Sequence, residues 1–383
     1  MESNPIGDPR SPGSLGGFAA RGEESFTLPA AWYTDPAGLE LEKQAIFYRT
    51  WQFGAHAGEL PSPGSYRVLE FMGQSVLLVR GEDDEIRGFH NVCRHRAHRV
   101  AEGQGCARAL VCPYHGWRYA LDGRLSYARG SEGVVDFDPD DYGLHPVRVE
   151  QFLGLVLFNL DSDTHSFREH APGLEEEIRE QVPDIDALTE PEAVTGFSNS
   201  TVACNWKVLV ENCSECYHCS AAHPAFADLV DVDSYHVTLH ARHSSHRARC
   251  RKPANQAYRY EPGDRAVFAF WHVWPNLTLG TFPGPANFAV FSAVPESVNR
   301  TLSRGVRLRR PGPESAREMA RRRYVDEVLW PEDKSICESV QRGLGSIVYK
   351  QGRYMIGPTI DGPSEVVCHH LMKLNLSALG IEI

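Results

Sequence analysis

The chain reads Cys93-Arg94-His95-Arg96-Ala97-His98 and, with sixteen residues between His95 and Cys112, Cys112-Pro113-Tyr114-His115-Gly116-Trp117. Each half supplies one thiolate and one imidazole. A Rieske-type [2Fe–2S] cluster needs this donor set: two Cys hold one iron and two His hold the other. A structural zinc site is the competing reading of Cys and His at short spacing. Zinc hairpins usually pair Cys with Cys and His with His, whereas each half here is mixed. Cys93, His95, Cys112 and His115 are therefore read as cluster ligands, and Cys106 between the halves as a bystander.

A second constellation lies in residues 204–224, which contain Glu215-Cys216-Tyr217-His218-Cys219 and then His223-Pro224. Two His and one distant carboxylate bind one face of Fe(II) and leave positions for O2 and substrate. Any one of these His residues alone reads as an ordinary core or surface histidine. The pair, one turn beyond an acid and in a chain with the first motif, points to His218 and His223 as iron ligands. Glu215 and His218 share a helical face, as do Glu211 and Glu215. His218 and His223 would diverge by roughly 140° on a regular helix. A helix over about 206–220 is thus expected to end or loosen between Cys219 and Ala222, ahead of Pro224.

From about Leu28 to the C-terminus the chain resembles the oxygenase α-subunits of Rieske non-haem iron oxygenases. Phe47-Tyr48-Arg49-Thr50-Trp51, Phe89-His90-Asn91-Val92, Asn205-Trp206-Lys207 and Glu211-Asn212 add to the two metal motifs. The resemblance is closest to the branch acting on quaternary ammonium compounds: betaine demethylases, carnitine oxygenase and choline monooxygenase. It implies a third iron ligand within Pro331-Glu332-Asp333-Lys334-Ser335-Ile336-Cys337-Glu338-Ser339-Val340-Gln341-Arg342-Gly343. Asp333 is the choice and Glu332 the alternative. It implies that Glu215 bridges His115 and His218 across a subunit interface of a homotrimer. It implies a separate flavin- or ferredoxin-type reductase, because the chain has no Gly-rich dinucleotide fingerprint for flavin or NAD(P)H. Ala97 departs from the pattern, standing where Gly is usual.

Composition agrees with a large enzyme. The 383 residues, 42% hydrophobic and 23% charged, can fill two domains. The net charge of −11 argues against nucleic-acid binding. Arg outnumbers Lys 33 to 6. No run approaches the ~18 apolar residues of a membrane span. The ten Cys form no disulfide framework, and a reducing cytoplasm suits both the cluster and the ferrous iron. Cys213, Cys216 and Cys219 are read as free, buried thiols rather than a further cluster.

The expected organisation is α+β. Residues 1–25 read as a disordered tail and 26–52 as a helical strap. Residues 53–158 read as an all-β cluster domain, with strands near 75–79 and 110–111 and turns at Pro63-Gly64 and Asp122-Gly123. Residues 159–383 read as a catalytic domain, with an antiparallel sheet and flanking helices holding the mononuclear iron. An acidic helix is expected near 172–181, a solvated connection at 311–323 and an amphipathic segment at the end. His236, His240, His243 and His246 recur at near-helical spacing. The intervening Val, Thr and Leu make them a strand running into a polar loop, in preference to a metal site.

The expected reaction is O2-dependent hydroxylation of a substrate C–H, above all oxidative N-demethylation of a betaine-type compound. Phe226, Tyr235, Phe270, Trp271, Trp274, Phe282 and Phe288 are candidates to face a quaternary ammonium through cation–π attraction. Aromatic-ring dihydroxylation or hydroxylation of a biosynthetic intermediate is the alternative. A non-catalytic Rieske electron carrier is the remote one, and would lack His218, His223 or the distant acid.

Overall fold

A computed structural model describes residues 12–192, 199–357 and 362–383. The chain forms two compact units, Tyr48–Phe167 and the remainder. No helix of the described residues is long and apolar enough to cross a membrane.

The Tyr48–Phe167 unit is all β. Its strands are β1 (Gln52–His56), β2 (Ser65–Phe71), β3 (Gln74–Arg80), β4 (Ile86–His90) and β5 (Gln104–Cys106). They continue as β6 (Leu110–Val111), β7 (Arg118–Tyr119), β8 (Leu125–Tyr127), β9 (Pro146–Phe152) and β10 (Leu155–Asn159). One sheet runs β1-β10-β9-β4-β3-β2-β5 and a small one runs β6-β7-β8. The expected strands at 75–79 and 110–111 are β3 and β6. The unit extends past the expected 53–158 at both ends because Trp51 and Phe152 each pack edge-on against Phe167. Leu77, Val79 and Phe89 form one core with Cys93, Cys112 and Tyr119, so the motif-bearing loops are rooted in apolar packing.

The second unit begins with α1 (Ala31–Thr34) and α2 (Pro36–Ala45). Asp35 caps α2 by accepting from the Ala37 N–H, with Pro36 at the first helical position. The strap expected over 26–52 is helical, but through Phe47 it belongs to this unit. Phe47 packs edge-on against Trp206. The disordered tail expected over 1–25 is instead packed where it is described: Phe18 is buried, stacked on His369 at 5.0 Å, and Trp32 donates to the Ser14 carbonyl. A few apolar anchors thus hold a segment of disorder-like composition. Residues 1–11 of the expected tail lie outside the described residues.

After α3 (Phe167–His170), the acidic helix is α4 (Leu174–Gln181). Short helices follow: α5 (Trp206–Cys213), α6 (Cys219–Ala222) and α7 (Pro224–Leu229). The sheet contains β11 (Glu190–Glu192), β12 (Ser200–Val202), β13 (His236–Leu239) and β14 (His243–Arg249). Its remaining strands are β15 (Val267–Val273), β16 (Leu277–Thr281), β17 (Phe288–Ser297) and β18 (Arg300–Arg309). All pairings are antiparallel, in the order β11-β18-β17-β16-β15-β14-β13, with β12 also on β18. Helices α8 (Ala316–Tyr324), α9 (Trp330–Leu344) and α10 (Val366–Ala378) complete the unit.

The connection expected at 311–323 is largely α8. Ser315 and Glu318 form a reciprocal capping box there, and this Ser-x-x-Glu signal was present in the sequence. A π-helical turn, Val325–Leu329, joins α8 to α9. Pro331 has no N–H for the Glu327 carbonyl and its ring crowds that group, so the ladder widens just before it.

Candidate functional site: two metal centres

The two cluster-motif loops are built alike. The Cys93 N–H donates to the His98 carbonyl, and the Ala97 N–H returns to the Cys93 carbonyl at 3.0 Å. In the second loop the Cys112 N–H donates to the Trp117 carbonyl, and the Gly116 N–H returns to Cys112, also at 3.0 Å. Each tight loop demands a left-handed residue, supplied by Gly116 (φ +74°) and Ala97 (φ +59°). The Ala97 conformation was not expected, since Ala disfavours that region.

Cys93 and Cys112 are buried at the loop bases. Burial, with the neighbouring Cys93 thiol adding to it, raises the Cys112 thiol pKa. His95 and His115 sit outward, Nδ1 to Nδ1 at 3.1 Å, with His95 stacked on Trp117. Tyr119 Oη lies 3.2 Å from Cys93 Sγ. Two buried thiols within, two imidazoles without, and a hydroxyl on one sulfur fit a cluster with one Cys-held and one His-held iron.

The second centre is assembled from three elements. Asn205 caps α5 by accepting from the Lys207 N–H. That helix ends at Cys213, earlier than the expected break between Cys219 and Ala222. The cause is Glu215, whose carboxylate accepts from the backbone N–H groups of Tyr217 and His218 and so competes with the helical ladder. His218 then precedes α6, and His223 separates α6 from Pro224 at the start of α7. Asp333 reaches the site from the first turn of α9.

His218, His223 and Asp333 bring one donor atom each to within 4.8 Å of one another. Asp333 Oδ1 lies 3.0 Å from His223 Nε2 and 3.5 Å from His218 Nε2. The other face of each ring also meets an acid: Glu332 Oε2 is 2.7 Å from His223 Nδ1, and Glu215 Oε1 bonds His218 Nδ1. Glu332, the alternative ligand, thus stands behind His223 rather than beside Asp333. Burial works against protonation of His218, yet Asp333 and Glu215 outweigh it and carry its pKa up to about 10. His223 is raised in the same way, against burial, by Asp333 and Glu332. Carboxylates at both nitrogens of both rings are satisfied by a proton on each Nδ1 and a shared cation at the Nε2 atoms. The donor set therefore fits a divalent metal with orienting acids behind it.

Cys216 and Cys219 form a disulfide, correcting the expectation of three free thiols. Their 4.9 Å Cα separation across the turn into α6 is within disulfide reach. Cys213 remains free.

A cavity of about 140 Å³ opens onto this centre. Of the anticipated rings, Phe226, Tyr235, Phe270, Phe282 and Phe288 line it. Trp271 does not: strand alternation turns it to the opposite face from Phe268 and Phe270, where it donates to Glu177. Trp274 donates to Asn375 instead. Phe268, Phe291 and Trp330 also line the cavity and were not singled out; period-two alternation could have found Phe268. The cationic lining is already engaged, as Arg307 pairs with Asp326 and Arg322 with Glu314.

A β domain with paired Cys-His loops, joined to a helix-flanked sheet with a two-His-one-carboxylate centre, defines a Rieske non-haem iron oxygenase. Residues 50–138 match the Rieske [2Fe-2S] domain family, and residues 175–376 match the ring hydroxylating alpha subunit (catalytic domain) family. The chain belongs to the latter family and carries both a Rieske cluster and a mononuclear iron. It is 36% identical over 359 residues to the carnitine monooxygenase oxygenase subunit of Escherichia coli strain K12, covering 93% of this chain and 95% of that one. It is 30% identical to the chloroplastic choline monooxygenase of Beta vulgaris, covering 91% and 76%. The solved structure of a quaternary ammonium Rieske monooxygenase in complex with L-carnitine matches with a TM-score of 0.83 at 31% identity, covering 95% and 98%.

Proposed function

We propose that this oxygenase hydroxylates a carbon bonded to the nitrogen of a quaternary ammonium compound, above all an N-methyl group. The observation that carries the reading is the convergence of His218, His223 and Asp333 at the wall of an aromatic cavity. Phe270, Phe282 and Tyr235 line that cavity, and a ring face turned to a cation is worth about 1–2 kcal/mol when well placed and desolvated. The carnitine and choline relatives support the same substrate class.

In this reading Cys93, Cys112, His95 and His115 hold the cluster, and His218, His223 and Asp333 hold Fe(II). When bound, the iron supplies O2 activation, with electrons that arrive through the cluster from a separate flavin- or ferredoxin-type reductase using NAD(P)H. Glu332 and Glu215 keep the Nδ1 protons of His223 and His218 in place, which leaves both Nε2 lone pairs for the metal. Glu215 also bridges to His115 of a neighbouring copy in a homotrimer. The aromatic wall orients the substrate and excludes water. The balance is one N–CH3, O2, two electrons and two protons giving N–CH2OH and water. The cationic carbinol then loses its hydroxyl proton and breaks its N–C bond, giving the tertiary amine and formaldehyde. The enzyme works in the cytoplasm.

A single-turnover assay tests this. Reduced, iron-loaded protein is mixed with O2 and, separately, betaines, choline, carnitine and small aromatics. Formaldehyde with an amine one methyl shorter is the expected result. Turnover of the aromatics alone would overturn the substrate class; an oxygenated betaine without formaldehyde would move the attack off the methyl group.

A further inference from the structure

His240 and His243 bracket the tight turn between β13 and β14, closed by the His240 N–H donating to the His243 carbonyl. Their rings stack with centroids 4.0 Å apart and planes 5° from parallel. Glu177 of α4 faces them: its Oε1 is 3.0 Å from His240 Nε2 and 3.9 Å from His243 Nε2. The three donor atoms lie within 4.8 Å of one another. None of these residues belongs to the centre built on α6 and α9.

A hydrogen-bonded His–Glu pair would account for His240 alone, since the 3.9 Å from Glu177 to His243 is too long for a hydrogen bond. It leaves His243 unexplained, because that side chain is fully buried and neither ring nitrogen has a hydrogen-bond partner. Buried polar groups without partners are rare and call for a reason. The carboxylate is also aimed. Glu177 Oε2 accepts from the Ser245 hydroxyl and from Trp271 Nε1, which turns Oε1 towards the imidazoles. His370 Nε2 lies 3.0 Å from the His240 carbonyl, bracing the turn from α10. A braced two-His-one-carboxylate set with outer hydrogen bonds on its acid is the design of a metal site. His240 and Glu177 stay partly exposed, which leaves an entry path and room for a water ligand.

We infer that Glu177, His240 and His243 form a second, structural site for a divalent transition cation, zinc by preference, that clamps α4 to the edge hairpin β13–β14. Neutral imidazoles with one carboxylate favour zinc over ferrous iron in the usual affinity order.

The full-length, iron-loaded protein is equilibrated with zinc sulfate, desalted, and its metals counted by mass spectrometry. About one zinc per chain should be retained above an unchanged iron content of about three. His240→Asn and Glu177→Gln should each lower zinc retention at least about tenfold with iron unchanged. Unchanged iron shows that the variants fold, and His240→Asn leaves the Ser245 and Trp271 bonds to Glu177 in place, removing only the 3.4 Å contact of the Ser245 hydroxyl with His240. Cobalt(II) should give the visible absorption of a His-ligated ion in the wild type alone. Zinc retained only by displacing iron, no zinc retained, or equal retention in both variants would each overturn the site.

Discussion

Glu332 and Asp333, consecutive on α9, address opposite nitrogens of one histidine: Glu332 Oε2 lies 2.7 Å from His223 Nδ1 and Asp333 Oδ1 lies 3.0 Å from its Nε2. Adjacent acids therefore have separable roles. Asp333→Ala should remove the mononuclear iron and leave the cluster colour. Glu332→Gln should keep the iron but weaken its hold by roughly 10–100-fold, read by chelator competition. Equal loss of iron in both variants would erase the distinction.

Glu215→Gln probes the acid behind His218. Both iron centres should remain bound, because no cluster donor is touched and Asp333 still faces both Nε2 atoms. Reoxidation of the reduced cluster by O2 and substrate, followed in a stopped-flow spectrometer, should slow by orders of magnitude. An unchanged rate would remove Glu215 from the electron path.

Ala97 carries the left-handed conformation that Gly116 adopts at the matching place in the other loop. An L-residue there costs about 1–2 kcal/mol, partly offset by the extra freedom glycine has when unfolded. Ala97→Gly should stabilise the cluster domain by about 0.5–1 kcal/mol, and Gly116→Ala should destabilise it by about 1 kcal/mol. Denaturant unfolding followed by cluster absorbance measures both signs.

Lys207 and Glu42 form a fully buried pair at 2.6 Å, and Trp206 Nε1 donates to the same carboxylate at 2.7 Å. This explains Trp206-Lys207 as the anchor of α2 on α5. Lys207→Met alone leaves a buried carboxylate without its cation and should cost about 3–5 kcal/mol. Adding Glu42→Leu should recover part of that loss in thermal unfolding. No recovery would mean the pair is not coupled.

His246 and His272 are buried and held neutral. Burial, then the proximity of His272, lowers His246 from 6.5 to about 3, and burial lowers His272 to about 4. The unfolded chain binds these protons first, so the stability contribution is complete above about pH 6.5. It is lost as pH falls towards about 3. His246→Asn should flatten the acid side of the stability–pH curve. A slope equal to wild type would show that His246 is charged in the folded state.

Local spacing along the chain carried the chemistry and the class. Cys93, His95, Cys112, His115, His218 and His223 stand in short spacings whose donor types have few other uses, and β3, β15 and α4 follow from local periodicity. Asp333 came from resemblance, because its distance along the chain carries no local signal. Tertiary structure decided the rest. The break at Ser214 depends on where the Glu215 side chain turns, and the role of Glu332 on which side of His223 it approaches. Trp271 left the cavity because one residue of strand register reverses a side chain's face. Glu177 meets His240 and His243 only because α4 lies against the β13–β14 hairpin. Spacing encodes what neighbouring residues can bind, whereas the partners of a distant residue exist only after burial has brought its element home.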